Sequence, residues 1–233
     1  MLDRFTWTGG TVFAGKSARV VAAVDPSMNL LAAFTEPGAV FGFVLDGQNA
    51  VLRRNGMAIC LAAGCYFVAS PDTAELASPG GRILLIQQAG SNFPFLMGGP
   101  VEARGRLRYI DGCTDSLLIA PWRRGEACLN LLHIPAGVEQ TMHTHPSDRI
   151  GVVVDGRGQC VTPDGVVELS PGLIWRIPAD GPHRFRTPHG DAVRIVAWHP
   201  DSDTGPTDDD HPMVNRTLVG GVSAAEIDAI RTR

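Results

Sequence analysis

Two stretches of this 233-residue sequence repeat one another, and the repeat constrains the fold more than any single motif. The first begins at Phe34, FTEPGAVFGFVLDGQNAVLRRNGMAICLAAG. The second begins at His143, HTHPSDRIGVVVDGRGQCVTPDGVVELSPG. Asp46-Gly47 recurs 109 residues later as Asp155-Gly156, and Asn55-Gly56 recurs at the same spacing as Asp164-Gly165. Pro37 recurs as Pro146. Gly64 recurs as Gly172 after 108 residues, so one residue has slipped in between. Asp-Gly and Asn-Gly between alternating apolar residues are two-residue hairpin signals. The same pair of signals in each half predicts two related β-domains. We place them at residues 1–97 and 106–199, joined by a linker over 98–105. Residues 200–233 form an acidic tail and a C-terminal helix.

The remaining segments agree. RVVAAV, RILLIQQ, CLNLLHI, LIWRIP and AVRIVAW are short, β-branched or aromatic, and broken by Gly, Pro and Asp. Such spacing predicts an all-β sandwich or barrel. The one helix signal is Ser223 followed by Glu226, a capping box ahead of AAEIDAI. The stretch PDSDTGPTDDDHP reads as neither strand nor helix. It is either a solvated arm or an arm that wraps over a site.

Charge and composition exclude several functions. A formal charge of −4 lacks the basic face of a nucleic-acid binder. The five cysteines form no C-x-x-C, which suits reduced thiols in a cytoplasmic protein. The opening MLDRFTWTGG has no charged leader with an apolar run, and no stretch is apolar for long enough to span a membrane. No G-x-S-x-G and no phosphate-cradling glycine loop occurs.

His143 and His145 stand one residue apart. On an extended strand such residues face the same way, so they can clamp a metal or simply decorate a wall. Around them runs Gly137-x5-His143-x-His145-x3-Arg149-x6-Gly156. Later comes Pro171-Gly172-x5-Pro178-x4-His183. Together these resemble the two motifs of the cupin superfamily, and with the repeat the chain resembles a bicupin. That resemblance implies two jelly-roll barrels in tandem and a metal held in the second by His143, His145 and His183. Three imidazoles would leave positions open for water, oxygen or substrate. Iron is the metal expected first, with Zn, Ni, Mn or Cu as alternatives, because imidazole does not discriminate among them. Where these motifs carry a glutamate ligand, this chain has Arg149. Their glycine is here Asp180, and their terminal Asn falls at Thr187.

Arg149 cannot ligate a cation. It either holds a substrate carboxylate in a bidentate pair or ties the loop through Asp148 or Asp180. A three-histidine site beside an arginine is similar in design to the thiol dioxygenases among the cupins. The first half supplies a control: the offsets put Phe34, Glu36, Val40 and Glu75 where His143, His145, Arg149 and His183 stand. All seven histidines lie in the second half, so the first barrel reads as structural or dimerising, with an oxygen-rich Glu36/Glu75 site as the lesser reading.

Among the rest, His199 shares a strand face with Ala197 and is a second-layer or acid/base candidate. His133 shares one with Leu131 and reads first as a wall residue, then as a substrate contact. Trp175 and Phe185 line either a core or a pocket, and Gln140 should point away from the metal. His189 and His211 lie in loops. These observations lead to three functions. The first is a cytoplasmic, homodimeric dioxygenase acting on a small anionic substrate. The second is a non-redox metal enzyme, an isomerase, lyase or hydrolase. The third is a small-molecule-binding module without turnover.

Overall fold

Short β-branched runs favour pleated, half-buried surfaces over helices, and this chain pairs nearly all of them into sheets. The computed structural model describes residues 1–16, 18–24, 29–47, 50–78 and 80–232. In the second half a large antiparallel sheet runs Thr114–Ile119, Cys128–Ile134, Val193–His199, Arg149–Gly156, Ile174–Ile177. A small sheet of Gly165–Leu169, Gly158–Thr162 and Arg184–Arg186 packs against it. The first half repeats this order with Gly10–Ala14, Arg19–Val24, Arg82–Ala89, Gly38–Val44 and Tyr66–Ala69. Its small sheet is Met57–Leu61, Ala50–Arg54 and Glu75–Ala77. The fold is therefore all-β, with the jelly-roll pattern written twice.

The repeated Asp-Gly does not make a hairpin. Strand Arg149–Gly156 pairs only within the large sheet, and Gly158–Thr162 only within the small one, so Asp155-Gly156 is where the chain changes sheet. Gly156 has φ +80, and a Cβ there would run into the Ala192 carbonyl. Gly47 has φ +90, and a Cβ there would lie 2.7 Å from Gly81 Cα. Each preceding aspartate holds an arginine of the last strand. Asp46 accepts from Arg82 Nε at 2.7 Å, and Asp155 accepts from Arg194 Nε at 3.0 Å. The repeated dipeptide is a corner with an ionic peg.

Asn55-Gly56 does form the expected two-residue hairpin: φ is +50 and +78, and Arg54 pairs with Met57. Its counterpart turns at Pro163-Asp164, because Thr162 pairs with Gly165. The slip therefore precedes this hairpin. Further on, Leu76 and Phe185 hold the same place in the small sheets, which aligns Glu75 with Arg184 and Ala74 with His183.

The N-terminal strand crosses to the other half's sheet, which the sequence did not suggest. Asp3–Phe5 pairs with Ile174–Ile177 of the second sheet, and Leu96–Gly98 pairs with Tyr66–Ala69 of the first. Apolar residues fill three regions. One is the interior of the first half (Phe34, Leu52, Phe67) and one the interior of the second (Trp175, Phe185, Ile195). The third lies between the two large sheets, where Phe41 meets Trp198.

The short C-terminal helix is Pro212–Arg216, capped by His211, whose Nδ1 accepts from Met213 and Val214. Ser223 does cap Ala225, but the following residues form two 3-10 turns, Ala224–Glu226 and Asp228–Ile230. A segment this short cannot offset the cost of nucleating an α-helix unaided. The acidic tail is tied down: Gly125 N donates to the Ser202 carbonyl at 2.7 Å, and Arg123 pairs with Asp208 at 2.7 Å. Among the described residues no helix is long and apolar enough to cross a membrane.

Candidate metal centre

The His-Thr-His segment is extended but belongs to no strand. His143 forms an isolated bridge with His183, each N–H donating to the other's carbonyl at 2.9 Å. This bridge brings the two motifs together. The His145 carbonyl accepts from Asp180 N at 2.7 Å. Asp180 has φ +57, so it adopts the left-handed turn that a glycine would otherwise supply. Thr187 instead stitches the loop, donating to the Pro135 carbonyl at 2.5 Å and accepting from Val138 N at 3.1 Å.

His143, His145 and His183 each bring one ring nitrogen to within 4.8 Å of the others. Nδ1 of His143 lies 2.8 Å from the Thr141 carbonyl, and Nδ1 of His183 lies 2.9 Å from the Gly181 carbonyl. A proton on each Nδ1 satisfies those carbonyls and leaves Nε2 with its lone pair. Burial, helped by the Arg149 charge, lowers the His145 pKa to about 3. Burial likewise takes His183 down to about 4. Three converging imidazoles, of which His145 and His183 are held neutral by burial and His143 and His183 are oriented by backbone carbonyls, fit a divalent transition metal.

Beside them a cavity of about 370 Å³ opens on the concave face of the large sheet, and His145, His183, Arg149 and His199 line it. Arg149 does not tie the loop through Asp148. That carboxylate binds Arg176, with Nε at 3.0 Å, and Ala179 N at 3.0 Å. Arg149 donates only through Nη1, to Ser147 Oγ at 2.7 Å and to the carbonyls of Ser147 and Asp148 at 3.2 Å. Among the described residues it forms no ion pair. Ser147 Oγ in turn donates to Asp201 Oδ1 at 2.5 Å, and the Asp201 carbonyl accepts from His199 Nδ1. The start of the tail thus braces both residues. Burial, then Arg149, lowers the His199 pKa to about 4.

Trp175 lines the cavity, with Phe185 edge-on to it at 6.1 Å. The Trp175 Nε1–H has no partner among the described residues. His133 faces the other way. It sits opposite Thr114 and Arg194 on the outer face of the sheet, away from the cavity lining. Gln140 is buried, donating to Cys113 Sγ at 3.2 Å and accepting from Phe185 N at 3.2 Å. In the first half Phe34 is buried, whereas Glu36 and Glu75 are exposed. Glu75 stands at the Arg184 position, so an acidic site mirroring the histidines does not form.

Sequence reasoning overlooked Asp115, Asn130 and Tyr109, which also line the cavity. Register puts Asp115 opposite Leu132, and Asn130 opposite Ala197, on the concave face. A carboxylate inside the strand TDSLLI was the available signal.

Residues 130–199 match the family model described as a Cupin domain. No curated protein matches the chain in sequence. Among solved structures, the chain is similar to a Cupin 2 conserved barrel domain protein from Leptotrichia buccalis. That likeness has a TM-score of 0.58 at 12% identity and covers 86% of this chain and 89% of that one. It is also similar to a variant of the salicylate 1,2-dioxygenase from Pseudoaminobacter salicylatoxidans in complex with gentisate. There the TM-score is 0.60 at 11% identity, covering 82% of this chain and 71% of that one. Protein Ylba from E. coli gives a TM-score of 0.58 at 13% identity, covering 82% and 78%. At these identities the likeness concerns the fold.

Proposed function

We propose that the second barrel is a metal-dependent dioxygenase site for a small carboxylate, with His143, His145 and His183 as the ligands and iron as the metal. In the same reading residues 106–199 carry the site, and residues 1–97 form its scaffold. The observation that carries the proposal is the pairing of three converging imidazoles, His145 and His183 held neutral by burial, with a half-buried arginine that forms no direct ion pair among the described residues. An iron held by three protein ligands supplies open positions and the electrons for oxygen chemistry.

The chain's own residues do the rest. Arg149 presents its remaining N–H groups to a carboxylate, and its Ser147–Asp201 brace fixes the approach. His199, with Nδ1 committed to the Asp201 carbonyl, offers Nε2 to the cavity as an acceptor. Leu132, Ile177 and Phe185 give the space apolar walls. The fold neighbours include a salicylate 1,2-dioxygenase and its gentisate complex, which supports a small anionic substrate.

A non-redox centre rests on the same three imidazoles, since ligand type does not choose the metal. Metal identity and oxygen use decide between them. Protein purified from a metal-replete host should contain iron and consume oxygen with at least one carboxylate in a broad panel. Zinc content with no oxygen uptake for any carboxylate that binds would reject the oxidative reading.

A further inference from the structure

Arg149 accounts for one end of a ligand, but the cavity has a second polar group that this role does not use. Asp115 lies on the concave face of strand Thr114–Ile119, in the cavity wall. The Asn130 side chain hydrogen-bonds it. Asn130 is itself anchored, its Oδ1 accepting from Cys128 Sγ at 2.7 Å. Among the described residues no cation pairs with Asp115. Burial raises its pKa to about 6, and burial, then Asp115, raises that of Tyr109 next to it. A carboxylate taken from water without a counter-charge costs stability unless a donor meets it. Asp148, Asp155 and Asp46 each meet an arginine, whereas Asp115 has only the neutral Asn130 amide beside it and faces the cavity.

We propose that Asp115 receives a hydroxyl or amino group of the substrate, so that the cavity selects bifunctional carboxylates: the acid end on Arg149 and a hydrogen-bond donor on Asp115. Between these poles the walls are apolar and aromatic, from Tyr109, Leu132, Trp175 and Phe185, which suits a ring or short hydrocarbon spacer. The inference rests on the reading of this cavity as the substrate site beside the metal. It goes beyond that reading in giving the substrate a second functional group and that group a residue.

The test uses the full-length, metal-loaded protein, with metal content measured on every sample. The probes are benzoate and its 2-, 3- and 4-hydroxy and amino derivatives, titrated calorimetrically without turnover under nitrogen. In the wild type at least one substituted derivative should bind about 10- to 100-fold more tightly than benzoate, the range for a hydrogen bond to a charged group. Asp115→Leu should bring that derivative down to the affinity of benzoate while leaving benzoate itself within about 3-fold. Asp115→Asn, which keeps an acceptor oxygen and the side-chain volume, should recover part of the preference and guards against a folding artefact. Equal binding of benzoate and all derivatives, no binding of any, or a preference that survives Asp115→Leu would overturn the assignment. Loss of metal from the wild type would instead strike at the metal centre, and the metal measurement separates the two failures.

Discussion

The two barrels share one sheet order and differ in what fills them. Ladder partners make the comparison residue by residue. Gly42 and Gly151 hold the same place, each beneath an aromatic ring of the neighbouring strand, Phe67 in one and Trp175 in the other. Around them Arg149 corresponds to Val40, His199 to Gln87 and Asn130 to Val21. His183 corresponds to Ala74, and His143 to Phe34 by the sequence offset. The first interior is mainly apolar, packed with Phe34, Phe67 and Leu52, and its buried Gln87 donates to the Glu36 carbonyl. The second gives up part of that packing for a cavity lined by imidazoles and a guanidinium. One backbone can therefore be a packed core or a site, and about six inward side chains decide which.

The comparison can be broken most severely by writing the first barrel's residues into the second. Replacing His143 by Phe and His183 by Ala together should abolish metal binding and all oxygen uptake, while circular dichroism remains that of a β protein. Retained metal would show that these two residues are not ligands. Arg149→Val, the Val40 state, should leave metal content unchanged and raise KM for the carboxylate substrate about 10- to 100-fold, the cost of a charge-assisted bond. An unchanged KM would remove the clamp.

The shared glycines sharpen the likeness between the barrels. A Cβ on Gly151 would run into the Val196 carbonyl and lie 2.8 Å from the Trp175 ring, and one on Gly42 would run into the Phe67 ring. Gly151→Ala and Gly42→Ala should each destabilise the protein by about 1–3 kcal/mol in urea unfolding, as overpacking does. The smallest effect concerns pH. In metal-free protein the pKa of His199 and of His183 is lowered to about 4, against about 6.5 in an unfolded chain. Between these values the unfolded chain takes up protons that the folded one refuses. Stability is thus full above pH about 6.5 and falls as the pH is lowered towards about 4. His199→Gln, the Gln87 state, should flatten that decline measurably in thermal melts from pH 7 to 4.5. An unaltered slope would mean that His199 is not held neutral by burial.

Local chemistry made much of this legible. The strand runs and the repeat can be read from spacing, and the two histidine motifs from their resemblance to the cupins, because each depends on residues near one another in sequence. The rest depends on register between distant strands. Asp115 and Asn130 meet only because Thr114–Ile119 pairs with Cys128–Ile134. Ser147 meets Asp201 across 54 residues. The crossing of the N-terminal strand joins Asp3–Phe5 to Ile174–Ile177 and leaves no local signature. The Asp-Gly pairs misled for a related reason: a glycine with positive φ serves a hairpin and a sheet corner equally well, and only its pairing partners distinguish them. Glu75 misled because alignment by offset places it one position away from its true counterpart, Arg184.

The central claim is that one barrel, and not the other, holds a metal through three histidines. Elemental analysis of the purified wild type, of His143→Ala and of Glu75→Ala tests it directly. The account predicts about one transition metal per chain in the wild type and in Glu75→Ala, and none in His143→Ala. A wild type without metal, a second metal lost with Glu75, or a His143→Ala protein that keeps its metal would contradict it.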